Sequence, residues 1–352
     1  MSTSTATHQD ADLAGLERLR NARDNIREQI AKTIVGQDEV VEQLLVCLFA
    51  RGHCILEGVP GLAKTLLIRT LSQSLSLDFN RIQFTPDLMP SDITGTEVMY
   101  EDRSTGTRDF KFIQGPLFAN VLLADEINRT PPKTQAALLE AMQERQVSAG
   151  GKRHGLPDPF FVLATQNPIE QEGTYPLPEA QLDRFLVKIF VDYPSADEEQ
   201  KIYRVTSHES MFEPTPVIGA DEMLALQKIV RRVPVSDFCI EYVSNLVRAT
   251  RQREAGVPAF IKEWVMWGVG PRGGQSLIAT AQARAALDGR PQVEVEDIQA
   301  MAPAVLRHRL VLNYHAESEG QTPDSVVKKL IETIPVHKSG EGSNGRVERL
   351  LK

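Results

Sequence analysis

Five short apolar runs, at 53–57, 79–84, 121–125, 160–165 and 185–191, constrain this chain more than any other feature. Each has the length of a buried strand and is too short for a core helix. Helical stretches separate most of them. One, 64–74, follows the first run; another, 134–145, with Leu138, Leu139 and Met142 on one face, precedes the fourth. Strands joined by helical crossovers form a parallel sheet covered on both faces. Open parallel sheets bind ligands at the carboxyl ends of their strands, so chemistry is expected just after each run.

Upstream, Leu16, Leu19, Ile26 and Ile30 recur at helical spacing within 13–33. Beyond the loop Val35-Gly36-Gln37-Asp38, a second helix runs through Val41, Leu44, Leu45, Leu48 and Phe49. Two insertions interrupt the alternation: 94–114, around Ser104-Thr105-Gly106, and 147–157, around Gly150-Gly151, both of which read as β-hairpins. After Tyr193-Pro194-Ser195 the texture becomes helical, with amphipathic stretches near 196–208, 220–231, 237–250, 275–287 and 295–308. A chain of 352 residues has room for two domains. The expected organisation is a disordered tail at 1–12, an α/β core with a five-stranded parallel sheet at 13–192, an all-helical lid domain at 193–338, and a polar tail at 339–352 with a short apolar end at 347–351.

A net charge of −8 without any long Lys/Arg run argues against a nucleic-acid partner. Cys47, Cys54 and Cys239 are odd in number and widely spaced, which fits neither a disulfide framework nor a paired metal-ligand pattern. The seven histidines show no His-x-x-x-His pairing, so no zinc is expected, and Trp264 and Trp267 are expected to pack in the core of the lid. No stretch approaches the ~18 apolar residues of a membrane span, and 1–12 has no apolar signal core. A cytoplasmic protein is expected.

The segment Gly58-Val59-Pro60-Gly61-Leu62-Ala63-Lys64-Thr65 follows the first run and opens a helix, the context a phosphate-binding loop requires. Glycines let backbone N–H groups turn toward phosphate oxygens, and the helix amino terminus adds a favourable dipole. With Leu66 behind it, the loop is the expected seat of a nucleoside triphosphate, Lys64 reaching the β- and γ-phosphates and the Thr65 hydroxyl binding Mg²⁺. Ala63 stands where a glycine is usual, which is tolerable if its φ stays below zero.

The run at 121–125 ends in Asp125-Glu126. A strand-end aspartate holds Mg²⁺ in P-loop enzymes, and the next glutamate can polarise the attacking water. Ala164-Thr165-Gln166-Asn167-Pro168 ends the fourth run between these tips, where Asn167 could bond the γ-phosphate or the water. Arginine supplied by a partner can stabilise phosphoryl transfer by ~10³–10⁵; Arg184, in Leu182-Asp183-Arg184-Phe185, and Arg129 are the two candidates. Gly268-Val269-Gly270-Pro271-Arg272-Gly273 matches the dinucleotide fingerprint, but with no strand before it and no βαβ unit around it. Its Arg272 could instead be aimed at the nucleotide.

The ordered set Val35-Gly36-Gln37, 58–65, 123–129, 165–168, 182–185 and 270–272 resembles the MoxR family of AAA+ ATPases, over about residues 15–335. The loop with Ala63 looks like that family's own Walker A variant, and the 94–114 hairpin like the insertion of the helix-2-insert group. The resemblance implies Walker A roles for Lys64 and Thr65, Walker B roles for Asp125 and Glu126, sensor 1 for Asn167, the arginine finger for Arg184 and sensor 2 for Arg272. It places adenine against 34–37, which includes Val35 and Gly36. It further implies a homo-oligomeric, hexameric ring that remodels protein clients, among them proteins with a von Willebrand factor A domain. A DNA-directed AAA+ motor, a chelatase-type subunit and a nucleotide-gated scaffold with little turnover are the alternative functions.

Overall fold

The computed structural model describes residues 3–101, 108–168, 173–207 and 212–336. The hairpin tip Ser104-Thr105-Gly106 and the tail 339–352 lie outside these residues. Contacts divide the chain into one unit up to Arg231 and a second from Arg232. The first opens with α1 (Thr3–Ala31) and α2 (Asp38–Phe49), followed by β1 (Cys54–Glu57), α3 (Lys64–Ser74), β2 (Phe79–Gln83), α4 (Pro90–Thr94), β3 (Gly95–Glu101), β4 (Arg108–Gln114), β5 (Val121–Asp125) and α5 (Pro132–Glu144). It continues with β6 (Gln146–Ala149), β7 (Lys152–Gly155), β8 (Phe161–Gln166), α6 (Glu179–Leu182), β9 (Val187–Phe190), α7 (Ala196–Thr206) and α8 (Ala220–Val230).

The five apolar runs become one parallel sheet in the order β2-β5-β8-β1-β9. Every residue of β5 is buried, as are all but the last of β1 and β8. Helices cover both faces, so these strands need no polar alternation. Leu138, Leu139 and Met142 of α5 pack into the same core as Ile55, Leu122 and Val162. Leu19 and Ile26 of α1 are fully buried. β8 lies between β1 and β5, with Glu57 opposite Gln166 and Ala124 opposite Ala164. All three strands therefore end on one side, and the loops after β1 and β5 leave the sheet about 10 Å apart, two strand spacings.

The two insertions are antiparallel hairpins, β3–β4 and β6–β7. They meet through Phe112 stacked on His154, with ring centroids 3.9 Å apart. Val98, Met99, Tyr100, Phe110 and Ile113 remain exposed on the first hairpin.

Two expected boundaries shift. The tail expected to be disordered at 1–12 is helical from Thr3, because adding residues to a formed helix is far easier than starting one. The second unit begins at Arg232 rather than 193. The change of texture at 193 marks where strands stop, whereas α8 still buries Met223, Leu226 and Val230 in the first unit. Gln227 of α8 donates to the Leu48 carbonyl of α2 at 2.8 Å.

The second unit contains α9 (Asp237–Ala249), α10 (Ala259–Trp264), β10 (Val265–Trp267), α11 (Pro271–Leu287), α12 (Val295–Leu306), β11 (Val311–Leu312), α13 (Tyr314–Ser318) and α14 (Pro323–Thr333). Alanines 281, 283, 285 and 286 let α11 sit close to its neighbours. Asp297, 1% exposed, is paired by Arg284 and Arg290. Two expectations fail here. Trp267 is 65% exposed, not core, because it lies on the two-stranded ribbon β10–β11. The fingerprint-like glycines do follow a strand, β10, but that strand pairs antiparallel and belongs to no βαβ unit. A Cβ on Gly268 would meet the Thr250 carbonyl oxygen at 2.5 Å, so this glycine serves packing.

Candidate active site

The site is assembled where β1, β5 and β8 end. Gly58 leaves β1 so close to β9 that a Cβ would lie 2.5 Å from the Val191 carbonyl oxygen. Gly61 has φ 88, open only to glycine at little cost, and nothing lies within 4 Å of its Cβ position. Ala63 caps α3 with φ 54 and ψ 21. That overturns the expectation of a negative φ. The chain must reverse sharply to present the first turn of α3, and Ala63 bears the left-handed conformation at a cost of about 1–2 kcal/mol relative to glycine. Val59, Pro60, Leu62, Thr65 and Leu66 complete the loop and the first turn, Leu62 buried and Leu66 44% exposed.

Lys64 folds back over the loop, its ammonium donating to the Gly58 and Val59 carbonyls. Burial lowers its pKa, while the negative charges of Asp125 and Glu126 oppose that shift. The lysine and both acids thus share one electrostatic environment. The 35–37 turn lies against the same loop. Gly36 has φ 71, and Gln37, with φ 59, donates from Nε2 to the Leu62 carbonyl at 3.3 Å. Gln37 Oε1 is buried without a hydrogen-bond partner.

Asp125 is held from two sides. Its Oδ1 accepts from the Thr165 hydroxyl at 2.6 Å, and Oδ2 accepts from Arg81 Nε and Nη2 at 3.1 and 2.7 Å. Glu126 has φ 57, and its amide donates to Thr165 Oγ1 at 2.8 Å. Its Oε2 accepts from Gln83 at 2.7 Å and from Arg129 Nη1 at 2.9 Å. The buried amide of Gln135 staples the turn that follows, donating to the Ile127, Thr130 and Tyr175 carbonyls. Asn167, 5% exposed, follows β8, and its carbonyl accepts from Asn128 at 3.5 Å.

Lys64, Asp125, Glu126 and Asn167 therefore stand at the same end of the sheet. Arg184 does not. It precedes β9, whose first residue pairs with Cys54, the first residue of β1, so it lies toward the amino ends of the strands. Arg129, the other candidate for a partner-directed arginine, is engaged with Glu126 of its own chain. Arg272 is exposed in the first turn of α11 in the second unit. Sequence reasoning gave no role to Arg81, Gln83 or Gln135. The polar residues Arg81 and Gln83, two apart in the run 79–84, were the available signal for the first two. Candidate ligand atoms of Glu263, His315 and Glu319 of the second unit lie within 4.8 Å of one another, all three residues exposed, and His315 faces the two glutamates at 3.7 and 3.4 Å; the i,i+4 spacing of His315 and Glu319 was legible, the approach of Glu263 was not.

A glycine loop capped by a helix terminus, with a lysine and strand-end acids across one intervening strand, defines a P-loop ATPase core of the AAA type. Residues 53–187 match the family model of ATPases associated with various cellular activities, and 260–330 match an AAA lid domain. The chain is 46% identical to Chaperone MoxR1 of Mycobacterium tuberculosis over 87% of its length and 80% of that protein, and 31% identical to Protein MoxR of Methylorubrum extorquens over 90% and 95%. A crystal structure from Cytophaga hutchinsonii described as a candidate ATPase superposes with a TM-score of 0.86 at 39% identity, covering 94% of this chain and 99% of that one. The chain belongs to the MoxR family of AAA+ ATPases. Among the described residues no helix is long and apolar enough to cross a membrane.

Proposed function

We propose that this chain is a Mg²⁺-dependent ATP hydrolase that works as a hexameric ring in the cytoplasm and remodels or matures protein clients, proteins with a von Willebrand factor A domain among them. The observation that carries this reading is the placement of Lys64, Asp125 and Glu126 at the same end of the sheet, on loops that leave strands flanking β8. The donor set fits the ligand: backbone N–H groups and an ammonium suit phosphate oxygens, while hydroxyl and carboxylate oxygens suit a hard divalent cation. Gln37 Oε1, buried and unpaired beside Leu62, fits an amino group of the base.

Gly58, Val59, Pro60, Gly61, Leu62, Ala63 and Lys64 wrap the phosphates, and Val35 and Gly36 flank the base. Thr65 and Asp125 would hold Mg²⁺, which when bound neutralises charge on the β- and γ-phosphates. Glu126 takes a proton from the attacking water as general base. Gln83 and Arg129 fix the carboxylate through Oε2, which leaves Oε1 for the water. Asn167 orients the water or the γ-phosphate. Arg184, remote from its own chain's Lys64, serves a neighbouring subunit, as a head-to-tail ring requires; Arg272 is carried as the family's second sensing arginine. The chaperone description of the mycobacterial relative supports the client class.

The test mixes two inactive variants. Glu126→Gln is expected to bind ATP and to lower turnover by ~10²–10⁴. Arg184→Ala is expected to be inactive alone, and mixed rings are expected to recover part of the activity. Full turnover by Glu126→Gln would remove the base; absence of rescue would remove the trans arginine.

A further inference from the structure

The metal carboxylate proposed above has a cationic partner with no assigned role. Arg81 and Gln83 alternate along β2 and so point to the same face of this edge strand. Arg81 donates twice to Asp125 Oδ2, and its Nη2 donates to Gln83 Oε1 at 2.7 Å. The amide nitrogen of Gln83 then donates to Glu126 Oε2 at 2.7 Å. Both strand-end acids are thereby tied to one guanidinium, directly or through one amide.

The two oxygens of Asp125 are held differently. Oδ1 accepts from Thr165, a neutral hydroxyl within the sheet, and that bond is compatible with a cation on the carboxylate. Oδ2 carries the full positive charge of Arg81. The Asp125 side chain is 12% exposed and that of Arg81 46%, so the guanidinium covers Asp125 from the solvent side. A divalent cation approaching Asp125 must either share Oδ2 with Arg81 or displace it. Sharing sets a double and a single positive charge a few ångströms apart in a partly desolvated site, where repulsion is strong. Displacement needs only a half-exposed side chain on an edge strand to swing into water.

We propose that Arg81 is the counter-ion a divalent cation displaces from Asp125, and that it thereby sets the metal affinity of the site. This inference rests on the ATPase reading. Because the same Nη2 holds Gln83 Oε1, the arrival of metal at Asp125 also frees Gln83 Oε1, while the Gln83 amide nitrogen keeps its bond to Glu126 Oε2, so the two acids stay linked through one amide. Arg81 is a positioning residue: it touches neither nucleotide nor water in this scheme.

The test is Mn²⁺ binding, followed by electron paramagnetic resonance, to the full-length protein saturated with a non-hydrolysable ATP analogue. Arg81→Gln is expected to bind Mn²⁺ at least about ten-fold more tightly than wild type. Arg81→Lys, which keeps the charge but loses the paired N–H groups, is expected to fall between the two. In EDTA, the affinity of Arg81→Gln for the analogue is expected not to rise, since removing a positive charge cannot favour an anion; a rise there would show a general tightening and overturn the assignment. Melting curves confirm that each variant is folded. Equal or weaker Mn²⁺ binding by Arg81→Gln, with wild type binding normally, overturns the role of Arg81 and leaves the ATPase reading standing. Arg81→Lys matching wild type overturns the paired clamp in favour of charge alone. Failure of wild type to bind Mn²⁺ with the nucleotide overturns both readings together.

Discussion

The two ends of the central sheet use the same backbone conformation in opposite ways. At the amino ends, Arg51 and Arg145 adopt positive φ just after α2 and at the end of α5, where a left-handed residue commonly terminates a helix. At the carboxyl ends, Gln37, Ala63 and Glu126 adopt positive φ at helix starts, where an extended conformation is the rule. All three belong to the candidate site. Left-handed non-glycine residues cost about 1–3 kcal/mol each and persist where surrounding structure holds them in place. The buried polar groups differ in the same sense. His53, at the amino end, is satisfied by backbone alone: its Nδ1 accepts from the Val162 amide at 3.0 Å and its Nε2 donates to the Met142 carbonyl at 3.2 Å. At the carboxyl end, Lys64 is bonded to two loop carbonyls, and Asp125 and Glu126 are bonded to polar and cationic side chains. One end closes its polar groups on backbone, the other gathers charged side chains.

The sharpest way to break this comparison is Lys64→Ala. It is expected to weaken ATP binding by over ~100-fold, the loss of charge-assisted bonds worth about 3 kcal/mol or more, while the melting temperature changes little. Titration calorimetry beside a thermal melt reads both quantities. Retained affinity, or a large loss of stability, would erase the distinction between the two ends.

The converse probe is His53, whose pKa burial lowers to about 4 from 6.5, aided by the nearby charge of Arg145. The unfolded chain therefore takes up this proton first as pH falls. The contribution of His53 to stability is complete above about pH 6.5 and drains away toward pH 4, by about 3 kcal/mol. Urea unfolding of wild type across that window is expected to be steeper in pH than that of His53→Gln. Parallel pH profiles would mean that His53 titrates alike in both states.

The smallest expected effect tests the left-handed helix start. Ala63→Gly relieves the conformation but frees the unfolded chain, for a net gain of about 0.5–1 kcal/mol. A loss of stability would mean that Ala63 does not hold φ 54 in solution.

Much of the site was legible because its residues follow strands. A buried parallel strand must end, and the polar residue that ends it is visible against an apolar run; Asp125 and Asn167 stand out for that reason. Lys64 and Thr65 are legible because a glycine loop before a helix has few other uses. The conformation of Ala63 was misread, since residue type limits φ without setting it. Gln135 was missed because a glutamine on an amphipathic helix looks the same whether it faces water or staples three carbonyls. The short elements α10 and α13, of six and five residues, give no periodic signal. The second unit's start was misplaced because composition records element type, whereas contact decides that α8 packs on α1 and α2.

Sequence alone determined the sheet, its parallel sense and the loops that form the candidate site, since each follows from local patterns of burial and turn formation. Only the tertiary structure decided the strand order that inserts β8 between lysine and acids, and with it the pairing of Asp125 with Arg81 and of Glu126 with Gln83 and Arg129. The contacts of Arg81 and Gln83 join residues some forty positions apart and depend on which strands become neighbours, which no local pattern encodes; Arg129, three residues from Glu126, is the local exception.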